Sequence, residues 1–444
     1  MAAKNVEWKL SMSANVTAET GSGQPWYEAG LRHVWLPYSQ MRTASPPLAC
    51  ARTHGSRIVL ADGREIIDGV ASWWTACHGY NHPHLRAAVE RQLALMPHLM
   101  LGGMAHEQAF TLAHRLAALL PGDLDRVFFS DSGSVAVEVA MKMAVQFWRN
   151  RGIPSRKKLV AFRRGYHGDT TGAMSISDPG AGMHKAFAPL LAEHFILDLP
   201  VDEESAFVFM QCLDKHGDEI AGMVVEPLVQ GAGGMHFHEP SVLRLLREAA
   251  ERFDLLLLLD EIFTGFGRTG TLFACAAAGV VPDIVTLSKA LTGGTLALAA
   301  TVARRKVFDA FWSDDPMHAL MHGPTFMGNA LACAAANASI DLFEREPRLR
   351  QVAHIASALE RGLSPCRGMR GVKDVRVKGA IGVVELDRIA DLDRLRARFI
   401  AEGTFIRPFG TVVYLTPAFT IPEEELEILT NAVVKVVGEL GRET

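Results

Sequence analysis

The sequence predicts an α/β protein: a large domain built on a mostly parallel sheet, followed by a smaller α/β domain. Three observations predict it. From residue 84 onward short apolar runs alternate with amphipathic stretches of helical period, and alternation of that kind requires crossover connections. One run, residues 255–259, is five consecutive leucines, the pattern of a strand covered on both faces. The chain has 444 residues, 49% of them hydrophobic, enough for a core larger than one ordinary domain provides.

Taken in order, residues 1–30 are polar and lack periodicity, and are expected to form a loose arm. Residues 31–83 are assigned to a segment that contributes to the small domain and the active site. Within it the runs 57–60 and 65–67 flank Ala61-Asp62-Gly63-Arg64, a hairpin turn signature. The large domain is expected over 84–340. Its helices are read at 84–97, 105–119, 135–150 and 241–253, and its strands at 126–129, 158–162, 222–225, 255–259 and 284–287. The small domain is expected over 341–444, with helices near 345–363 and 389–402 and strands near 381–386 and 411–415.

Composition excludes several classes of function. Forty-five Lys and Arg against 49 Asp and Glu give a net charge of −4, so no sequence-wide positive field exists to hold nucleic acid or an anionic membrane, and neither is expected as a partner. The most apolar tract, 291–303, is interrupted by Thr and Gly and is too short to span a bilayer. The amino terminus lacks the apolar centre of a signal peptide. The six cysteines form no C-x-x-C pair, which suits a reducing compartment, so a cytoplasmic protein is expected.

The chemistry-bearing residues fall at strand ends. Gly265-Phe266-Gly267-Arg268-Thr269-Gly270 matches a dinucleotide fingerprint in letters only, because Asp260 to Thr264 separate it from the strand and no amphipathic helix follows. Asp260 closes the strand 255–259, where open α/β sheets place their ligands. Lys289 follows the strand 284–287, about one crossover later, so both side chains are expected at one sheet edge. A structural ion pair is the alternative for these two alone.

Ser130-Asp131-Ser132-Gly133-Ser134 lies between a strand and a helix, where free backbone N–H groups make a phosphate seat, ordinary helix capping being the alternative. Gly165-Tyr166-His167-Gly168-Asp169 gives an aromatic ring room to face a flat ligand, or to pack on the core. A phosphate seat, an aromatic plate, a strand-end carboxylate and a strand-end lysine together meet the needs of pyridoxal 5'-phosphate (PLP). His167 and His322 lack a second ligand at metal-binding spacing and are read as satisfied loop residues, with no metal expected. Glu226 is left between orienting a ligand and structural hydrogen bonding. Met321 and Met327 are read as core fillers.

Five blocks carry a resemblance: Phe129-Ser-Asp-Ser-Gly-Ser-Val-Ala-Val-Glu138, Gly165-Tyr-His-Gly-Asp169, Glu226-Pro-Leu-Val-Gln-Gly-Ala-Gly-Gly234, the segment Asp260 to Gly270, and Ser288-Lys-Ala-Leu-Thr-Gly-Gly294. The chain resembles the class III aminotransferases, PLP-dependent transferases of fold type I, from about residue 30 onward. His33-Val-Trp-Leu-Pro-Tyr38, Ser72-Trp-Trp74, His78-Gly-Tyr-Asn-His-Pro83, Met321-His-Gly-Pro-Thr-Phe326 and Ile406-Arg-Pro-Phe409 further resemble the members that move an amino group from S-adenosylmethionine to 8-amino-7-oxononanoate in biotin biosynthesis. The alternative within the class is a lysine, ornithine or ω-amino acid donor.

The resemblance implies that Lys289 bonds PLP, Asp260 pairs with its ring nitrogen, and Tyr166 stacks on the ring. It implies phosphate contacts at Ser132, Gly133 and Ser134, and at Pro324 and Thr325 reaching the neighbouring subunit of a homodimer. Tyr38, Trp73, Trp74, Tyr166, Gly323 and Arg407 are implied substrate contacts, with Arg407 on a carboxylate and Phe409 and Tyr414 lining the same pocket. The sequence departs from those members at Leu36, Phe263, Ser288 and the tract 415–419, all of which bear on pocket shape.

Overall fold

Seven strands make the central sheet, in the spatial order Leu124–Ser130, Ala299–Arg304, Ile284–Leu287, Leu256–Asp260, Ile220–Val225, Lys158–Phe162 and Phe195–Leu197. The computed structural model describes residues 24–180 and 184–443. Six of the seven strands run in one direction, and Ala299–Arg304 runs against both its neighbours. The sheet is therefore mostly parallel, as expected. The reversed strand overlaps the apolar tract 291–303, and neither it nor Phe195–Leu197 was among the expected strands: the first is hidden in a longer apolar tract and the second is only three residues long. Because the other six share a direction, residues 130–134, 163–169, 226, 260 and 289 all emerge at the carboxyl edge.

The helices of this region lie close to their expected spans, at Pro83–Leu95, Glu107–Leu119, Gly133–Asn150 and Pro240–Arg252. Ala330–Arg345 is a helix that the periodicity did not disclose. It is alanine-rich and buried nearly all round, so it has no polar stripe to betray its period. Asn329 caps it, the side-chain oxygen accepting the Ala332 N–H at 3.0 Å. Position 340 lies inside this helix. The next helix begins at Arg348, after Pro347.

Besides a two-stranded hairpin, Val229–Gln230 with His236–Phe237, two smaller sheets accompany the large one. Cys50–His54, Arg57–Leu60 and Glu65–Asp68 form antiparallel neighbours, the last two being the expected hairpin. Thr404–Phe405 joins them in parallel beside Glu65–Asp68. The other sheet is Val372–Lys378, Ile381–Leu386 and Val412–Leu415. The first of these strands escaped the sequence reading because its charged alternate residues leave no apolar run. The helix Glu423–Glu443 closes the chain. Residues 1–23 of the expected loose arm lie outside the described residues, but Pro25–Leu31 is a helix that starts on proline and is tied down by Tyr27, whose hydroxyl donates to the Pro47 carbonyl at 2.6 Å.

At the amino edge of the large sheet Asp283 is fully buried. Its carboxylate accepts the Leu257 N–H at 2.8 Å and pairs with Arg247 at 2.9 Å, Lys306 at 2.5 Å and Arg304 at 3.6 Å. A buried carboxylate needs such partners, and here they come from a helix, the reversed strand and the helix after it.

Candidate active site

Asp260 is the last residue of its strand and is 4% exposed. One carboxylate oxygen accepts the Ile262 N–H at 3.1 Å and the Thr286 hydroxyl at 3.3 Å, and the other lies 2.7 Å from His167 Nδ1. Burial alone would lower the His167 pKa, but the adjacent Asp260 carboxylate outweighs it and the net shift is upward. Glu226 follows the strand Ile220–Val225, accepting the Tyr166 N–H at 3.0 Å and the Gly231 N–H at 2.9 Å. Burial, with Asp260 adding to it, pushes its pKa up to about 7 against the opposing pull of His167.

Lys289 sits in the left-handed region, φ +48°, just past its strand. Its amine stands 4.7 Å from the centre of the Trp74 ring. Burial lowers its pKa against the opposing pull of Asp260 and Glu226, which favours a neutral, nucleophilic amine. Asp260 and Lys289 thus meet at one sheet edge as expected.

Ser132 caps the helix Gly133–Asn150, its hydroxyl accepting the Val135 N–H at 3.4 Å. The loop 165–169 closes against this helix start, where the Ser134 hydroxyl accepts the Asp169 N–H at 3.2 Å. Gly168 has φ +126°, and a Cβ there would sit 2.0 Å from the Ser134 oxygen, so only glycine permits the approach. Tyr166 lies with its hydroxyl 3.1 Å from that of Tyr38, which itself donates to Asp169, and its ring stacks on His184 at 5.8 Å.

A wall of aromatic rings completes the group. Trp74 packs on Phe263, centroids 4.1 Å apart, and edge-on to Tyr414, which meets Phe409. Trp73 stands edge-on to Tyr38, and the Arg407 guanidinium carbon is 5.2 Å from the Trp73 ring centre. Trp74, Tyr414 and Phe409 thus form one connected group on Lys289, while Tyr38, Trp73, Tyr166 and Arg407 form a second, joined to the first along the chain through Trp73 beside Trp74 and to Asp260 through Tyr166 beside His167. Gly323 and Pro324 lie in coil and Thr325 opens a turn, between His322, which meets Lys142, and Phe326, which packs on His98. None of the contacts that assemble the wall includes those three.

Met321 is 81% exposed, so the core-filler reading fails for it, while Met327 does pack against the core. No group of three His, Cys, Asp or Glu able to hold a metal occurs among the described residues. Gly265–Gly270 forms turns, with buried Arg268 donating to the Ala380 and Pro417 carbonyls. The sequence reading missed the place of His167 beside Asp260, since the two are far apart in the chain and share no spacing rule. Asp169 and His184 were missed for the same reason.

The aminotransferase class-III family model matches residues 38–437. The chain belongs to the class III aminotransferases. Its relatives include the adenosylmethionine-8-amino-7-oxononanoate aminotransferase of Mycobacterium leprae, 46% identical over 418 residues that cover 92% of this chain and 96% of the relative. The enzyme of the same name from Corynebacterium glutamicum is 41% identical, covering 92% and 97%. Among solved structures, that of the adenosylmethionine-8-amino-7-oxononanoate aminotransferase from Methanocaldococcus jannaschii has a TM-score of 0.89 at 30% identity, covering 93% of this chain and 98% of that one. A PLP-bound amine transaminase from an uncultivated Pseudomonas species has a TM-score of 0.85 at 31% identity, covering 92% and 98%. This class III aminotransferase accordingly has the fold-type I α/β architecture that its motifs implied. No helix among its described residues is long and apolar enough to cross a membrane.

Proposed function

We propose that this class III aminotransferase uses PLP to transfer an amino group from S-adenosylmethionine to 8-amino-7-oxononanoate, giving 7,8-diaminononanoate for biotin biosynthesis. The residues fit the cofactor. The Lys289 amine faces an aromatic ring and has its pKa lowered by burial, Asp260 is a buried carboxylate held by three donors, and the start of an 18-residue helix presents free N–H groups. When bound, PLP supplies a conjugated ring that takes up the electron pair left by a departing proton.

The chain's own groups do the rest. Asp260, fixed by His167, offers the negative charge that keeps a ring nitrogen protonated. Ser132, Gly133 and Ser134 hold the phosphate at the helix start. Tyr166 covers the ring. The Lys289 amine would take the proton from the substrate carbon and give it back, as a general base and then a general acid.

The observation that carries the substrate reading is Arg407 lying 5.2 Å from Trp73, next to the Trp74 ring that faces the Lys289 amine. A guanidinium fork binds a carboxylate, and the flanking rings suit an alkyl chain or an adenine in turn. One arginine then serves both substrates of a ping-pong site. Tyr38, Phe409 and Tyr414 complete that pocket, and Gly323, which the contacts of the wall on one chain do not include, reaches the pocket of a second copy alongside Pro324 and Thr325. The names of the relatives above support the same pair of substrates over a lysine, ornithine or ω-amino acid donor.

The protein works as a homodimer in which Pro324 and Thr325 reach the phosphate seat of a second copy. Support comes from the exposure of Trp73, Tyr38, Met321 and Phe326 on one chain. Residues 31–83 and 341–444 make the small domain around 84–340, a division supported by the pairing of Glu65–Asp68 with Thr404–Phe405. Six free cysteines suit a cytoplasmic setting. The test is a half-reaction: S-adenosylmethionine added to the PLP-loaded protein converts the bound cofactor to its amino form. Conversion by lysine or another simple amine, with none by S-adenosylmethionine, overturns the donor assignment.

A further inference from the structure

Ala71, Ser72, Trp73 and Trp74 have φ of +45°, +50°, +55° and +75°. None is glycine, so these residues form one turn of left-handed helix from L-residues, which adopt that conformation singly and seldom in succession. Such a turn persists only where its surroundings hold it.

The holding group is Asp68. Its carboxylate is 2% exposed and accepts three donors: the Val70 N–H at 2.8 Å, the Ser72 N–H at 2.9 Å and the Tyr80 hydroxyl at 2.6 Å. Two of the three are backbone groups leading into and inside the turn, so the carboxylate fixes the direction in which the chain enters it. Asp68 is itself fixed, because its N–H donates to the Ser56 carbonyl at 2.8 Å and it stands in register with Phe405. Phe405 is two residues before Arg407. One buried carboxylate therefore ties the turn that carries Trp73 and Trp74 to the strand that delivers Arg407.

We propose that Asp68 is a positioning residue for substrate binding: it holds residues 71–74 in the left-handed turn that sets Trp73 against Arg407 and Trp74 against Lys289. Asp68 touches neither reacting group. It acts through the turn, and the proposal rests on the reading of Trp73, Trp74 and Arg407 as the substrate wall.

The test uses PLP-loaded protein. Asp68→Asn keeps the size of the side chain but turns one acceptor into a donor facing a donor. It is expected to raise KM for both substrates about tenfold while kcat stays within about threefold, with borohydride-fixed cofactor unchanged. Ser72→Gly in the Asp68→Asn background should bring KM back to within about threefold of Ser72→Gly alone, since glycine enters the left-handed region without steric cost. A second readout needs no substrate: the near-ultraviolet circular dichroism of Trp73, taken as the difference between each protein and its Trp73→Phe counterpart, should change in Asp68→Asn and return in the double variant. Wild-type KM and an unchanged Trp73 signal in Asp68→Asn overturn the proposal, and so does a defect that Ser72→Gly leaves untouched. If Asp68→Asn does not fold, Tyr80→Phe removes one donor from the same carboxylate, and an unchanged Trp73 signal there overturns the proposal. If wild-type protein ignores S-adenosylmethionine, the substrate reading fails, and the Trp73 signal still decides the role of Asp68.

Discussion

His167 Nδ1 lies 2.7 Å from Asp260 Oδ2, with the two side chains 1% and 5% exposed. A buried carboxylate paired at that distance has its orientation fixed. His167→Ala should therefore leave a folded protein that binds PLP, and lower kcat about 10- to 100-fold, the range expected for losing one hydrogen bond to a charged group. The measurement is steady-state turnover alongside cofactor content. Turnover within a factor of about two of wild type would show that Asp260 is held adequately without the imidazole.

Lys289→Ala should lower turnover by about 10²–10⁴-fold or more, since it removes both the bonding amine and the group that moves the proton. Borohydride treatment followed by digestion should find cofactor on the peptide containing residue 289 in the wild type and on no peptide of the variant. Cofactor fixed to another lysine in the variant would contradict the assignment.

Arg407→Ala should reduce kcat/KM in both half-reactions by about 10- to 100-fold, because each substrate loses a charge-assisted contact. Tyr38→Phe should affect the two half-reactions unequally, because it removes one hydroxyl from the Tyr38, Tyr166 and Asp169 group and leaves the guanidinium alone. Rapid-mixing absorbance of each half-reaction checks both. An Arg407→Ala defect confined to one substrate would show that the other is held elsewhere.

Glu226 gives a pH dependence with a definite sign. Its folded pKa of about 7 lies above the ordinary 4.5, so the folded protein binds a proton that the unfolded chain releases. The stability tied to this proton is fully present below pH 4.5 and is lost as pH rises to about 7. Glu226→Gln cannot ionise, so its stability relative to wild type should improve across that window, by roughly 3 kcal/mol in total. The Gln side chain loses one of the two acceptors for Tyr166 N–H and Gly231 N–H, which lowers the variant's curve by a constant amount. Urea unfolding of cofactor-free protein at several pH values measures the difference, and a flat difference would place the Glu226 pKa near its ordinary value.

The strands and helices that position this site were legible where period and burial spoke together. Residues 255–259 announced a buried strand, and the serines and the glycine after residue 129 announced a loop at a helix start. Direction was not legible: nothing local tells Ala299–Arg304 to run against Ile284–Leu287. The helix Ala330–Arg345 was hidden by being buried on all sides, and Val372–Lys378 by its charges. In the site, residues at strand ends could be found because the sheet's direction gathers them. His167, Asp169 and Asp68 could not, because each acts through a partner chosen by the folded chain.

Asp283 and its three cations lie at the opposite rim of the sheet from Lys289. The strand that leads to the reactive lysine thus follows directly on the residue that fastens the reversed strand and two helices beneath it. Fastening and reactivity are separated along four residues of one strand, Ile284–Leu287. Loops at the reactive rim are then open to change under selection for a new amine or ketone, while the fastening below them stays as it is.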